Sequence, residues 1–109
     1  MQSYTETEQT RRMLRELHFS SRHLGYKMLC VAIPCYARND TQSITKELYP
    51  FISKQFGYSN LRAAEHSIRY SIVEAWQHGD PEVWRRYFPG SARAPSNLTF
   101  ISTLAEYLK

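Results

Sequence analysis

SITKELYPFISKQFGYSNLRAAEHSIRYSIVEAWQHG, residues 43–79, is the stretch on which the fold turns. Ile44, Leu48, Ile52 and Phe56 recur at four-residue steps, which places them in one stripe along a helix. Pro50 lies within that stripe, where it either starts a fresh helix at its first position or bends an existing one. Gly57 stops the pattern, and Tyr58 with the cap candidates Ser59 and Asn60 makes a turn of about three or four residues. From Leu61 to His78 the residues Leu61, Ala64, Ile68, Ile72, Ala75 and Trp76 fall within an arc of about 120°. The expectation is a long helix with Ile68, Ile72 and Trp76 buried and Arg62 and His66 exposed. Two helices across a tight turn containing glycine make a helix-turn-helix over about residues 45–78.

The same periodicity extends in both directions. Thr5 or Thr7 is a candidate cap for a first helix carrying Met13, Leu14 and Leu17 and ending near His18 and Phe19. Ser20 and Ser21 offer caps for a second, with Leu24, Met28, Ala32 and Tyr36 at four-residue steps, and Pro34 predicts a kink or an end. The polar run Arg38 to Gln42 reads as a loop. Beyond Gly79, the capping acid Asp80, then Pro81 and Glu82, restart a short helix that reaches Phe88 and breaks at Pro89 and Gly90. After a loop over residues 91–96, Ser96 or Asn97 caps a last helix with Leu98, Ile101, Leu104, Ala105 and Leu108 inward. The expected fold is all-α, a six-helix, bundle-like domain without strands.

Composition bounds the function. A chain of 109 residues accommodates one domain, expected over residues 1–109, and 42% hydrophobic content suffices for one core. Its longest apolar run, around Met28 to Ile33, is far short of the ~20 residues of a membrane span. The N-terminus is polar and acidic where a secretory signal would be apolar, so no membrane association and a cytoplasmic location are expected. The net charge of +4 suits a polyanionic partner, but it is spread evenly and forms no basic tail. Cys30 and Cys35 point about 140° apart on a helix, which predicts buried reduced thiols and no disulfide. The histidines lack zinc-motif spacing, and no phosphate loop, nucleophile elbow or H-E-x-x-H occurs. No metal, cofactor or enzymatic activity is therefore expected.

What remains is the outer face of the helix from residue 61. Arg62, Ala63, His66, Ser67 and Tyr70 project opposite the apolar stripe, with Glu65 and Arg69 on the flanks. An arginine fork and small hydrogen-bonding groups with little bulk between them are what a helix needs to enter the major groove of DNA. The competing reading is a solvated face with an ordinary Glu65–Arg69 pair.

Ser43-Ile44-Thr45-Lys46, Leu48-Tyr49-Pro50, Ile68-Arg69, Ile72, Ala75-Trp76, Gly79, Pro95, Asn97 and Phe100 together resemble the C-terminal DNA-binding effector domain of the stage-zero sporulation response regulator of spore-forming Firmicutes. The similarity spans about residues 12–108, and its central block, SITKELYP followed by a helix ending EAWQHG, is fairly specific. The resemblance implies a six-helix fold with a helix-turn-helix, transcription regulation in the cytoplasm, and binding of duplex DNA at a short promoter box by a homodimer or tandem pair. It also implies base contacts from the positions of Ala63, Glu65, His66, Arg69 and Tyr70. There the family carries arginine, glutamate, arginine, arginine and histidine, so this sequence keeps only Glu65 and Arg69. Arg62, one position before the first missing arginine, is the substitute. Phosphate contacts are expected from Ser43, Thr45, Lys46, Lys54, Ser59 and Asn60. The region of Arg85 and Phe88 corresponds to the family's RNA polymerase contact, against which stands a plain core role for Trp84 and Phe88, four residues apart.

About ten residues precede the first matching helix, so no receiver domain is expected and control would be constitutive or supplied by a partner. The alternative function is a degenerate effector fold that acts as a protein-interaction module, binding RNA polymerase or a regulatory partner without specific DNA binding. A positive rim of Lys46, Lys54, Arg62 and Arg69 around the helix would favour DNA; a neutral apolar face would favour protein.

Overall fold

The computed structural model describes residues 4–39 and 43–109. Six α-helices follow in order: α1 (Tyr4–Glu16), α2 (Leu24–Arg38), α3 (Tyr49–Gln55), α4 (Ala63–His78), α5 (Pro81–Tyr87) and α6 (Asn97–Glu106). Among the described residues there is no strand, so the fold is all-α with a helix-turn-helix formed by α3 and α4. Asp40, Thr41 and Gln42 of the expected loop lie outside the described residues.

Helix α2 is the central strut and packs against α1, α3, α4 and α6. Its closest approach is to α4 at Gly25, where a β-carbon would collide with the Ser67 carbonyl oxygen and the Ser71 side chain. Only glycine lets the two backbones come this near. Met28, Leu29, Ala32 and Ile33 of α2 are fully buried, as are Ile68 and Ile72 of α4 and Phe100, Ile101 and Leu104 of α6. An aromatic cluster closes one end: Phe88 stacks on Phe100 with centroids 5.5 Å apart, and Trp84 meets Phe19, Trp76, Phe88 and Phe100. Polar ties hold α1 to its neighbours, among them Arg38 with Glu6 at 3.3 Å and the Tyr87 hydroxyl donating to the Glu16 carboxylate at 2.6 Å.

The local signals departed from expectation in identifiable ways. α1 already contains Thr5 and Thr7, so neither caps it. It ends in a Schellman motif, with Phe19 N–H bonded to the Leu14 carbonyl, His18 N–H to Arg15, and His18 at φ 75°. The residue before α2 is His23, without a side-chain cap, while the Ser20 hydroxyl serves the turn by accepting from Arg22 N–H. α2 runs through Pro34 to Arg38, since burial of Pro34 against neighbouring helices outweighs its missing hydrogen bond. Pro50 has its effect upstream of itself. Residues Ile44–Leu48 form a π-helical turn, with Leu48 N–H reaching the Ser43 carbonyl and Tyr49 N–H reaching Ile44, before α3 continues with Pro50 in its first turn. Proline cannot donate to the preceding turn and its ring crowds the Lys46 carbonyl, and widening the turn relieves both. Asp80 and Ser96 cap α5 and α6. Trp76 is half-buried rather than buried, and Leu98, expected to point inward, is exposed at the start of α6. Cys30 and Cys35 are half-buried and not joined in a disulfide, and burial pushes the Cys30 thiol up.

Candidate nucleic-acid interface

The connection between α3 and α4 is built from short-range hydrogen bonds. α3 closes with a Schellman motif in which Tyr58 N–H bonds the Ser53 carbonyl and Gly57 N–H bonds Lys54, with Gly57 at φ +85° as the motif requires. Asn60 then folds the chain back on itself: its side-chain oxygen accepts from Arg62 N–H at 2.9 Å, and its carbonyl accepts from Ala63 N–H. This turn delays the helix, which starts at Ala63 and not at Leu61. Leu61 consequently leaves the apolar stripe and is 42% exposed.

One buried hydroxyl joins the two helices. Ser53, in the last turn of α3, donates to the Leu61 carbonyl at 3.2 Å and accepts from Ala64 N–H at 3.0 Å. Ala64 N–H is one of the donors a helix start leaves unpaired, so Ser53 caps α4 from across the turn. Asn97, at the start of α6, adds a second tie: its amide nitrogen donates to the Tyr49 hydroxyl at 3.0 Å and to the Glu65 carbonyl at 3.1 Å. Burial pushes the Tyr49 phenol up, so it stays protonated and accepts this bond.

The outward side chains of α4 divide into free and committed groups. The Arg62 side chain is 71% exposed and, among the described residues, pairs with the Glu65 carboxylate at 3.0 Å at the surface, where such a pair is worth about 0 to 1 kcal/mol. His66 is exposed, Ala63 is half-exposed and leaves room beside them, and Tyr70 is exposed with its ring edge-on to His23. Arg69 differs. Its guanidinium donates to the Pro95 carbonyl at 2.6 Å, which ties the loop before α6 to α4. Of the phosphate candidates, Thr45, Lys46, Lys54 and Ser59 are exposed. Ser43 and Asn60 instead spend their side-chain oxygens capping Lys46 N–H and Arg62 N–H. Lys46, Lys54 and Arg62 are thus open members of the expected positive rim, and Arg69 is held.

Arg93 was missed by sequence reasoning. It is exposed on the loop before α6 and lines a groove of about 580 Å³ together with His66 and Arg69. No periodicity reports this, because the residue lies in a loop that a backbone carbonyl 26 residues from Arg69 brings alongside. In α5, Arg85 is exposed, but Phe88, which follows the helix, is stacked in the aromatic cluster and presents almost no surface.

The start of α4 is thus held by hydrogen bonds from α3, the turn and α6. Among the described residues no group of three His, Cys, Asp or Glu could hold a metal ion, and no helix is long and apolar enough to cross a membrane. Residues 10–108 match the protein family described as Sporulation initiation factor Spo0A C terminal, so the chain belongs to that family of DNA-binding transcription-factor domains.

Proposed function

We propose that this domain regulates transcription by binding duplex DNA sequence-specifically, with the first two turns of α4 in the major groove. The observation that carries the reading is the pairing of an anchored helix start with an open outer face. Arg62 forms the guanine-reading fork, able to bond O6 and N7 together, once it exchanges the weak Glu65 pair for a base. His66 lies one turn on and offers one donor and one acceptor when neutral. Ala63 leaves space for a base edge, and Glu65 and Tyr70 border the contact. Lys46, Lys54, Thr45 and Ser59 meet phosphates, and Arg93 adds a cation on the far side of the groove shared with His66. Arg69 acts as a positioning residue through the Pro95 carbonyl. Two copies on adjacent half-sites, with Arg85 turned toward RNA polymerase, complete the proposal.

The test is selection of bound sequences from a random duplex pool, followed by anisotropy titrations. Arg62→Ala should cost about 1 to 3 kcal/mol on the preferred site and relax one base pair, while Lys54→Ala should weaken all sequences alike. With about four to six phosphates neutralised, log K should fall with log salt at a slope of roughly −4 to −5. Sequence preference that survives Arg62→Ala, or binding indifferent to salt, would overturn this reading in favour of a protein-interaction module.

A further inference from the structure

The loop that leads into α6 stands beside the outer face of α4 and is fixed there from more than one side. Pro95 is buried, and proline restricts both its own φ and the residue before it, so the chain at Ala94 has little freedom. The Arg69 guanidinium donates to the Pro95 carbonyl at 2.6 Å, and Asn97, two residues on, bonds the Glu65 carbonyl at 3.1 Å. Between this loop and α4 runs the groove of about 580 Å³, with Glu65, His66 and Arg69 on one wall and Arg93 and Ala94 on the other. Arg93 is exposed, and among the described residues no hydrogen bond or ion pair engages its guanidinium. It differs in this from Arg62, which pairs with Glu65, and from Arg69, which is turned to the loop. Among the described residues that line the groove, Glu65 is the one acid, and Arg62 answers its carboxylate at 3.0 Å. The groove is thus positive, and its unpaired cation rides on backbone held in place relative to α4.

We propose that Arg93 grips a backbone phosphate of the duplex on the flank of α4 that carries Glu65 and Arg69, and that Arg69 acts through it by holding the loop. The inference rests on the reading of α4 as a helix in the major groove. A helix in that groove, about 12 Å wide, is bordered by a phosphate strand along each flank, and one of those strands passes the mouth of this groove. A guanidinium matches a phosphate in planar geometry and charge and takes it in two parallel hydrogen bonds. Arg69 is half-buried with its guanidinium on the Pro95 carbonyl, so its main effect is on where Arg93 stands. The loop and α4 then close on the strand as two prongs, α4 specifying sequence and Arg93 fixing register without reading it.

The experiment titrates the whole chain against the duplex recovered from the random pool, by fluorescence anisotropy at several salt concentrations. Arg93→Ala should weaken binding about two- to fivefold on every sequence and make the salt slope shallower by about 1, and Arg93→Lys should restore the slope. In a set of duplexes that each carry one neutral methylphosphonate in place of a phosphate, one position should weaken the parent by the same factor and leave Arg93→Ala unmoved. Arg69→Ala should weaken the parent without changing the sequence selected, and should cost much less in an Arg93→Ala background. Arg69→Lys, which can still donate to the Pro95 carbonyl, should bind like the parent. Arg93 is exposed, so its variants fold whatever Arg69→Ala does to stability. An unchanged slope in Arg93→Ala, or no methylphosphonate position that it shares, would overturn the proposal. So would an Arg69→Ala cost equal in both backgrounds, or one accompanied by a relaxed base pair, since Arg69 would then act on DNA directly. Arg62→Ala, run alongside, separates the two readings: if it relaxes a base pair while Arg93→Ala changes nothing, α4 reads DNA without the loop. If no duplex is bound at all, both readings fall.

Discussion

Replacing Ser53 by alanine tests whether the α4 start is held from across the turn. The hydroxyl is fully buried, donates to the Leu61 carbonyl at 3.2 Å and accepts from Ala64 N–H at 3.0 Å. Alanine keeps the backbone and nearly the same volume, so packing contributes little and the loss is polar. The Ala64 N–H is left buried without an acceptor, which costs about 1 to 3 kcal/mol, and the equivalent loss of a conventional N-cap costs about 0.5 to 2 kcal/mol. The two ranges overlap at about 1 to 2 kcal/mol, which for a domain of this size corresponds to roughly 4 to 9 °C in melting temperature. Urea denaturation followed by circular dichroism gives the global number, and hydrogen exchange at Ala64 gives the local one. Ser43→Ala is the comparison: that hydroxyl also caps a helix start but at the surface, where water replaces it, so about 0.5 to 1 kcal/mol is expected. If Ser53→Ala cost no more than Ser43→Ala, and Ala64 exchanged no faster, the turn would not depend on the buried hydroxyl.

Gly25→Ala should destabilise by about 1 to 3 kcal/mol despite alanine's better helix propensity, because the new methyl meets the Ser67 backbone carbonyl, which cannot swing aside; a thermal melt decides the sign. His18→Gly should stabilise by up to about 1 kcal/mol, since His18 holds φ 75° at the end of α1 where glycine is unstrained, and chemical denaturation measures it. Burial, the hydrogen bond to Glu16 and the Glu16 charge hold the Tyr87 phenol well above its ordinary value of 10.0. Its contribution is therefore fully present below that value and is lost as pH rises through the folded-state value, as the unfolded chain sheds a proton the folded chain retains. Denaturation from pH 9 upward should show stability falling, and less steeply in Tyr87→Phe; an unchanged slope would remove Tyr87 as a source.

Much of this fold is written in local pattern. The four-residue steps through Ile44, Leu48 and Ile52 and through Ala64, Ile68, Ile72 and Ala75 mark residues that are buried, because a helix repeats its face every turn wherever the chain stays helical. The errors arise where that condition fails. Leu61 fits the stripe on paper, but the Asn60 side chain takes the Arg62 N–H and the helix starts later. Leu98 fits its stripe as well, yet it occupies the first turn of α6, where Asn97 turns inward to Tyr49 and Glu65 and the adjacent position faces out. Pro34 was overruled by tertiary burial. The candidate site was legible in part: the exposure of Arg62 and His66 follows from their place opposite the apolar stripe, whereas the bond of Arg69 to the Pro95 carbonyl, 26 residues along the chain, has no local signal.

The division between held and open groups bears on how the proposed reader could change its target. Ser53, Asn60, Asn97 and Arg69 fix the start of α4 through the turn, the α6 start and the loop before it, and none does so through the side chain of Arg62 or of His66. Both of those side chains are exposed, and the ion pair of Arg62 with Glu65 is a weak surface pair. Substitution at either position therefore leaves the scaffold with its hydrogen bonds intact and costs little stability. The fold is therefore independent of which side chains stand at positions 62 and 66. His66→Arg puts the argument to use, because it returns a bidentate fork to a frame whose pitch is already set. The variant should melt within about 0.5 kcal/mol of the parent, as surface changes do, and shift the selected DNA sequence at one base pair. A variant that loses stability by more than that would show His66 to be part of the frame, and one that selects the same sequence would show that α4 does not read bases there.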